Sequence, residues 1–319
     1  MIRIGVVGAG IIAAEHLKHI HQNERAELAA VCDVAPGAAE RAVRQYGGKA
    51  YADFDDMLDR EKLDAIFLCV PPFAHGNMEE KAAERGIHLL VEKPLGLRMD
   101  EVRRKAEALE QSGIIAGSGY CLRYMESVRR AKRYLEGKEI AMVRAYRFGG
   151  LPPNPWWADH AKSGGQLVEQ TTHNVDLMLY LAGGVRKVSA DMALLLSRDV
   201  PGITTPDAAS VNMVFASGAL GHIDTGFFPQ PDGRSSLEIM GRDFRLTLEG
   251  SRLTIMEPDQ TWVMKDKGDF YQAQDDAFMQ AVETGDRSLI LAPYSEALRT
   301  LEVTLAANES AKTGQPVML

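Results

Sequence analysis

Residues Gly5–His16 read GVVGAGIIAAEH, and this stretch decides the fold. It begins in an apolar run, crosses a turn built from glycine and alanine, and enters a helical pattern. Gly8-Ala9-Gly10-Ile11-Ile12-Ala13 fits the spacing G-x-G-x-x-[GA]. In that spacing the first glycine permits a tight strand-to-helix turn. The second, lacking a Cβ, lets backbone approach a pyrophosphate, and the third small residue lets the helix pack closely on the sheet. The amides of Ile11, Ile12 and Ala13 at the helix N-terminus face the phosphates with the positive end of the helix dipole. Alone the motif is frequent by chance. Its context supports it, because the following apolar run ends in Asp33, twenty positions after Ala13, where an acid holds ribose hydroxyls.

Working outward, residues 1–120 alternate in type. IRIGVV, AELAAVCD, DAIFLCV, IHLLVE and IIAGSGY are short, continuous apolar strands. Between them lie amphipathic stretches such as IIAAEHLKHIHQ and MDEVRRKAEALEQSG. That pattern predicts a parallel, doubly wound α/β sheet covered on both faces. From Lys187 to about Lys265 strands follow one another with short turns, which predicts a large, mostly antiparallel sheet. The expected organisation is a dinucleotide-binding domain over 1–120 and an α+β substrate and oligomerisation domain over 121–319. One long helix is expected in GGQLVEQTTHNVDLMLYLAG.

The composition bounds the function. The chain has 319 residues, 45% hydrophobic and 25% charged, with a net charge of -8. The charge argues against a nucleic-acid partner or cationic membrane attachment. No apolar stretch is long enough to cross a bilayer, and a cytoplasmic protein is expected. Cys32, Cys69 and Cys121 read as separate buried thiols. His16, His19 and His21 read as a polar helix face, and no metal site is expected.

Asp33 favours NAD over NADP, since a carboxylate repels a 2′-phosphate and no Arg or Lys stands at 34–36. Arg41 and Arg44 leave NADP open. Glu92-Lys93-Pro94 ends a buried strand, where ligands of open parallel sheets bind. A lysine there is either a surface charge or an ammonium that binds a substrate oxygen and shuttles its proton.

The glycine turn, VPPFAH at Val70–His75, Glu92-Lys93-Pro94 and GGQLVEQTTHNVD together resemble the Gfo/Idh/MocA family of nicotinamide-dependent sugar and polyol dehydrogenases. The resemblance runs along essentially the whole chain. It implies that Lys93 lies beside nicotinamide and substrate, that Glu92 approaches the nicotinamide ribose, and that a cis bond precedes Pro94. It also puts Val70, Pro71 or Pro72, and His75 near the cofactor, with Phe73 where many members carry Asn. The family's Gly-Gly-x-x-x-Asp-x-x-x-His maps onto Gly164, Gly165, Glu169 and His173, with Glu replacing Asp. On a continuous helix positions 169 and 173 share a face, and Asp176 extends it. His173 is then the expected general base, oriented by Glu169. Arg123, Trp157 and Asn174 are candidate substrate contacts, with an interdomain salt bridge as the alternative role for Arg123 and a packing role at the domain junction for the Trp156–Trp157 pair.

The expected activity is hydride transfer between a nicotinamide and a secondary alcohol of a sugar, inositol or related polyol. Lys93 and His173 are expected to converge on one carbon. The resemblance also implies a homodimer or homotetramer formed through the second sheet. Two other readings stay open: an NAD-recycling glycosidase or epimerase-type enzyme, and a non-catalytic nucleotide- or sugar-binding regulator.

Overall fold

The computed structural model describes residues 1–151, 153–228 and 233–319; Pro152 of the proline-rich loop lies outside them. Two compact units divide the chain. The first comprises Met1–Tyr124 and Asp269–Leu298, the second Met125–Gly268 and Arg299–Leu319. This differs from a single cut at residue 120, because the segment from Asp269 to Leu298 returns to the first unit.

The first unit is a six-stranded parallel sheet. Its strands are β1 (Ile2–Val7), β2 (Ala26–Cys32), β3 (Lys49–Tyr51), β4 (Ala65–Leu68), β5 (His88–Val91) and β6 (Ala116–Ser118), ordered β3-β2-β1-β4-β5-β6. The helices between them are α1 (Ile11–Gln22), α2 (Ala38–Tyr46), α3 (Phe54–Arg60), α4 (Met78–Glu84) and α5 (Met99–Ser112). The apolar strands are buried on both faces, as a sheet covered by helices on both sides requires.

The second unit contains α6 (Glu126–Leu135), β7 (Ile140–Gly149), α7 (His160–Ser163), α8 (Gln166–Glu169) and α9 (Thr172–Ala182). Then come β8 (Val185–Ala193), β9 (Ala208–Phe215), β10 (Leu220–Phe227), β11 (Arg234–Gly241), β12 (Arg245–Glu249), β13 (Arg252–Glu257) and β14 (Gln260–Lys265). The remaining elements are α10 (Phe270–Thr284), α11 (Tyr294–Thr313) and β15 (Val317–Met318). The nine-stranded sheet runs β14-β13-β12-β11-β7-β10-β9-β8-β15, antiparallel except where β10 pairs with β7. Along β7, Val143 and Ala145 are buried while Met142, Arg144 and Tyr146 are exposed. One face therefore packs under helices and the other is open.

Helix α10 joins the first unit because of its apolar face. Phe278, Met279 and Ala281 are buried in the same core as Ile4, Val6, Leu17 and Phe67. Phe278 meets Phe67 edge-on at 5.2 Å. Burying a phenylalanine this completely contributes about 2–3 kcal/mol.

Candidate functional site

In a parallel sheet all strands end on the same edge. The order β2-β1-β4-β5 therefore delivers, side by side, Asp33, the glycine turn, Val70–Pro71 and Glu92–Lys93. The chain direction of the strand order reverses between β1 and β4, which is where open α/β sheets bind ligands.

The two key glycines are required for different reasons. Gly8 has φ +88°, and a Cβ there would lie 2.5 Å from the Cys69 carbonyl oxygen, so the fold itself demands glycine. Val70 closes the same spot, 3.3 Å from that Cβ position. Gly10 has φ −82°, open to any residue, and a Cβ there would meet nothing within 4 Å. The protein leaves the space over Gly10 empty. Helix α1 begins with the Ala14 N–H bonding the Gly10 carbonyl, so the amides of Ile11, Ile12 and Ala13 precede the helical ladder. No acid occupies the first turn and no side chain caps it. Ala13 is fully buried against the core while Ile11 is 73% exposed. This cradle fits a dinucleotide pyrophosphate, which Gly8, Gly10 and the Ile11–Ile12 amides could hold.

Asp33 completes the turn from the neighbouring strand. One carboxylate oxygen accepts the Ala9 N–H at 2.6 Å, the other the Ala35 N–H at 2.7 Å. The acid expected to hold a ribose also fastens the glycine turn. Arg44 is occupied by the Glu40 carbonyl of its own helix, and Arg41 lies against the Gly37 backbone.

Lys93 is partly exposed at the end of β5, and the Lys93–Pro94 peptide is cis. Glu92 is buried, and its Oε1 lies 3.3 Å from His16 Nε2. A side chain at Gly119 would strike the same carboxylate. At least one oxygen of Glu92 thus faces inward, toward protein rather than nucleotide.

His16 and His19 correct the sequence reading. They do not form a polar face; both are completely buried. His16 Nδ1 lies 2.9 Å from both Asp275 oxygens, and His19 Nδ1 lies 2.7 Å from Asp275 Oδ2. The cause is α10, whose return places a carboxylate where the helix would otherwise meet solvent. Burial by itself would lower the His16 pKa, but Asp275 and Glu92 raise it from 6.5 to about 10. Burial would raise the Asp275 carboxyl, yet His16 and His19 hold it below its usual range. Among the described residues no group of His, Cys, Asp and Glu could hold a metal ion.

His75 is also differently placed. It is 1% exposed, and its Nδ1 lies 2.8 Å from Glu79, whose other oxygen lies 3.0 Å from Lys105 Nζ. Burial would raise the Glu79 pKa; His75 and Lys105 lower it instead. This buried chain braces the turn after β4, where Val70 and Pro71 are half-buried and Phe73 is exposed.

In the second unit the expected long helix breaks. α8 ends at Glu169 and α9 starts at Thr172, because the Thr171 N–H reaches back five residues to the Gln166 carbonyl. The shared face assumed for positions 169 and 173 needs a continuous helix, which is absent here. Glu169 is buried and His173 is partly exposed. Asp176 accepts a hydrogen bond from Thr300 at 3.0 Å, so it belongs to packing. Asn174, offered above as a substrate contact, is 4% exposed and donates to Ser235 on β11 at 3.0 Å. Trp157 is buried with its carbonyl accepting from Thr205, while Trp156 is partly exposed. Arg123, in the first unit, is 2% exposed and donates to the Leu291 carbonyl and the Glu296 carboxylate. The salt bridge weighed for Arg123 is an interdomain one; the ion pair formed, to Glu296, lies within the first unit. Cys32, Cys69 and Cys121 are free and buried, as expected.

Comparison with known proteins agrees with this geometry. Residues 2–120 match the model of an oxidoreductase family with an NAD-binding Rossmann fold, and residues 128–247 match the GFO/IDH/MocA C-terminal domain. The chain belongs to the Gfo/Idh/MocA oxidoreductase family. It is similar to scyllo-inositol 2-dehydrogenase (NAD(+)) of Bacillus subtilis, 28% identical over 100% of this chain and 96% of that one. It is similar to myo-inositol 2-dehydrogenase of Thermotoga maritima, 28% identical over 79% and 73%. A similar solved structure is the WlbA dehydrogenase from Bordetella pertussis in complex with NADH and UDP-GlcNAcA. The two share 25% identity and a TM-score of 0.87, covering 100% of this chain and 98% of that one. Like other members of the Gfo/Idh/MocA family, the protein is an oxidoreductase with an NAD-binding domain. No helix among its described residues is long and apolar enough to cross a membrane.

Proposed function

We propose that this protein is an NAD-dependent dehydrogenase acting on a secondary alcohol of a sugar, inositol or related polyol. One observation carries the reading: the glycine turn after β1 and the partly exposed Lys93 after β5 lie on one edge of the first sheet, with only β4 between them. The names of the inositol dehydrogenase relatives support the substrate class. Asp33, with no basic residue at 34–36, supports NAD over NADP.

Bound at the glycine turn, the nicotinamide supplies a hydride acceptor, or a donor in the reverse direction. The chain's own residues orient the substrate and move its proton. In this reading Lys93 holds and polarises the reacting oxygen, and His173, at the start of α9, takes the hydroxyl proton. Val70 and Pro71 line the cofactor side.

The open face of the second sheet supports a homodimer or homotetramer. Leu220 (53% exposed), Met142 and Met256 lie along one row of that face. Exposed apolar groups in such a row mark an interaction surface.

The test is NAD reduction with purified protein over a panel of inositols, aldoses and uronic acids, repeated with NADP. Net NADH from at least one polyol, with NAD preferred, is the expected result. Tight NAD binding without any net NADH would remove the dehydrogenase reading. A cofactor that copurifies and cycles without net reduction would point to the NAD-recycling class instead.

A further inference from the structure

The buried cluster beneath the end of β5 has a geometry that the cofactor cradle alone does not explain. His16 stands on α1, six positions beyond the Gly10 that seats the phosphates. Its two ring nitrogens face two different carboxylates. Nδ1 meets Asp275 from α10, and Nε2 meets Glu92 at the end of β5. Carboxylates only accept hydrogen bonds, so both ring nitrogens carry protons and His16 is an imidazolium. His19 Nδ1 also meets Asp275, at 2.7 Å. His19 Nε2 lies 3.7 Å from the half-exposed Asp269. The Cys69 and Cys121 thiols complete the lining. Burial, then Glu92, keeps both thiols protonated, Asp275 adding to the effect, while Tyr271 and Lys93 oppose it at Cys121.

We propose that His16 is a positioning residue: clamped by Asp275, it fixes the Glu92 carboxylate and thereby ties the phosphate-binding helix α1 to the end of β5 that carries Lys93. One imidazolium links the helix that seats the pyrophosphate in the proposed function to the strand end that serves the nicotinamide. Without it Asp275 keeps His19, but the buried Glu92 carboxylate loses its imidazolium and must protonate or swing away. The inference rests on the reading that β5 serves the nicotinamide end.

A double-mutant cycle tests it with NAD binding as the readout, measured by titration calorimetry without substrate. His16→Gln and Glu92→Gln are each expected to weaken NAD binding about tenfold, as the loss of one charge-assisted contact does. The double variant is expected to be no weaker than either single one, because both changes break the same link. Imidazole NMR on the wild type should show His16 protonated through pH 8, and Asp275→Asn should lower that titration. A hundredfold, additive loss in the double variant overturns the proposal, as does unchanged binding in His16→Gln. If His16→Gln does not fold, Asp275→Asn replaces it in the cycle and the same criterion decides. Since no turnover is measured, inactivity on every polyol would end the proposed function while leaving this cycle to be read on its own.

Discussion

His16 and Asp275 are 259 positions apart in the chain, yet the imidazole Nδ1 lies 2.9 Å from both carboxylate oxygens. Burial opposes the charge on His16, and the two carboxylates overcome it, raising the pKa to about 10 from 6.5. A folded-state pKa above the unfolded one contributes stability that is fully present below the unfolded value. It is lost as pH rises through the folded value. Thermal unfolding of wild type and His16→Gln should therefore differ most below pH 6.5. The gap should close progressively up to about pH 10. A gap that widens with alkalinity would contradict the assignment.

Gly8 and Gly10 should separate folding from cofactor binding. Gly8→Ala forces a side chain into the Cys69 carbonyl at φ +88° and should lower Tm sharply or abolish soluble expression. Gly10→Ala meets nothing in the protein and should leave Tm within about a degree. Its NAD affinity should nonetheless fall at least tenfold, on the order of one displaced phosphate contact. Differential scanning fluorimetry with and without NAD reads both effects.

Asp33 fastens the glycine turn and, in the proposed function, meets the ribose as well. Asp33→Ala removes the acceptor for the Ala9 and Ala35 amides. NAD affinity should drop about tenfold or more, in keeping with about 1.5–3 kcal/mol for a hydrogen bond to a charged group. Asp33→Ser combined with Val34→Arg should move the kcat/KM ratio toward NADP, as measured with both cofactors on one substrate.

Lys93→Met and His173→Asn should each reduce kcat by about a hundredfold or more, the usual worth of a positioned proton-transfer group. NAD affinity should stay within about twofold, since neither residue belongs to the phosphate cradle. Loss of NAD binding in step with kcat would instead assign them to cofactor binding.

Arg123→Ala should act on stability rather than on substrate. The guanidinium is buried and donates to Leu291 and Glu296, so its removal should cost about 2 kcal/mol. The substrate KM of the folded fraction should not change. Asn174→Ala should behave similarly through the lost bond to Ser235 on β11.

The local features were legible in the residues because their physics is local. A glycine-alanine turn between an apolar run and a helical pattern needs only neighbouring residues to define it. So do the strand alternation of the parallel sheet, the acid at the end of β2, and the lysine-proline pair after β5. The spacing even separated Gly8 from Gly10, although only the tertiary structure shows that the fold itself demands a glycine at the first and leaves room for a Cβ at the second. The break between α8 and α9 was not legible. No proline or glycine marks it, and it arises where the Thr171 and Gln170 side chains bond Thr225 and Arg147 of the sheet beneath.

From the sequence alone came two sheets of opposite kind, the nucleotide turn and the residues at the strand ends, since each depends on periodicity and steric freedom within a few residues. Tertiary structure decided which polar groups face solvent and which face each other. His16, His75, Arg123 and Asn174 all carry side chains fit for chemistry, and all four became buried fastenings. His75 pairs with Glu79 four positions on, but the partners of the other three come from distant elements, in two cases more than a hundred and sixty positions away. A charge pattern cannot foretell such a meeting, because it depends on where the chain returns.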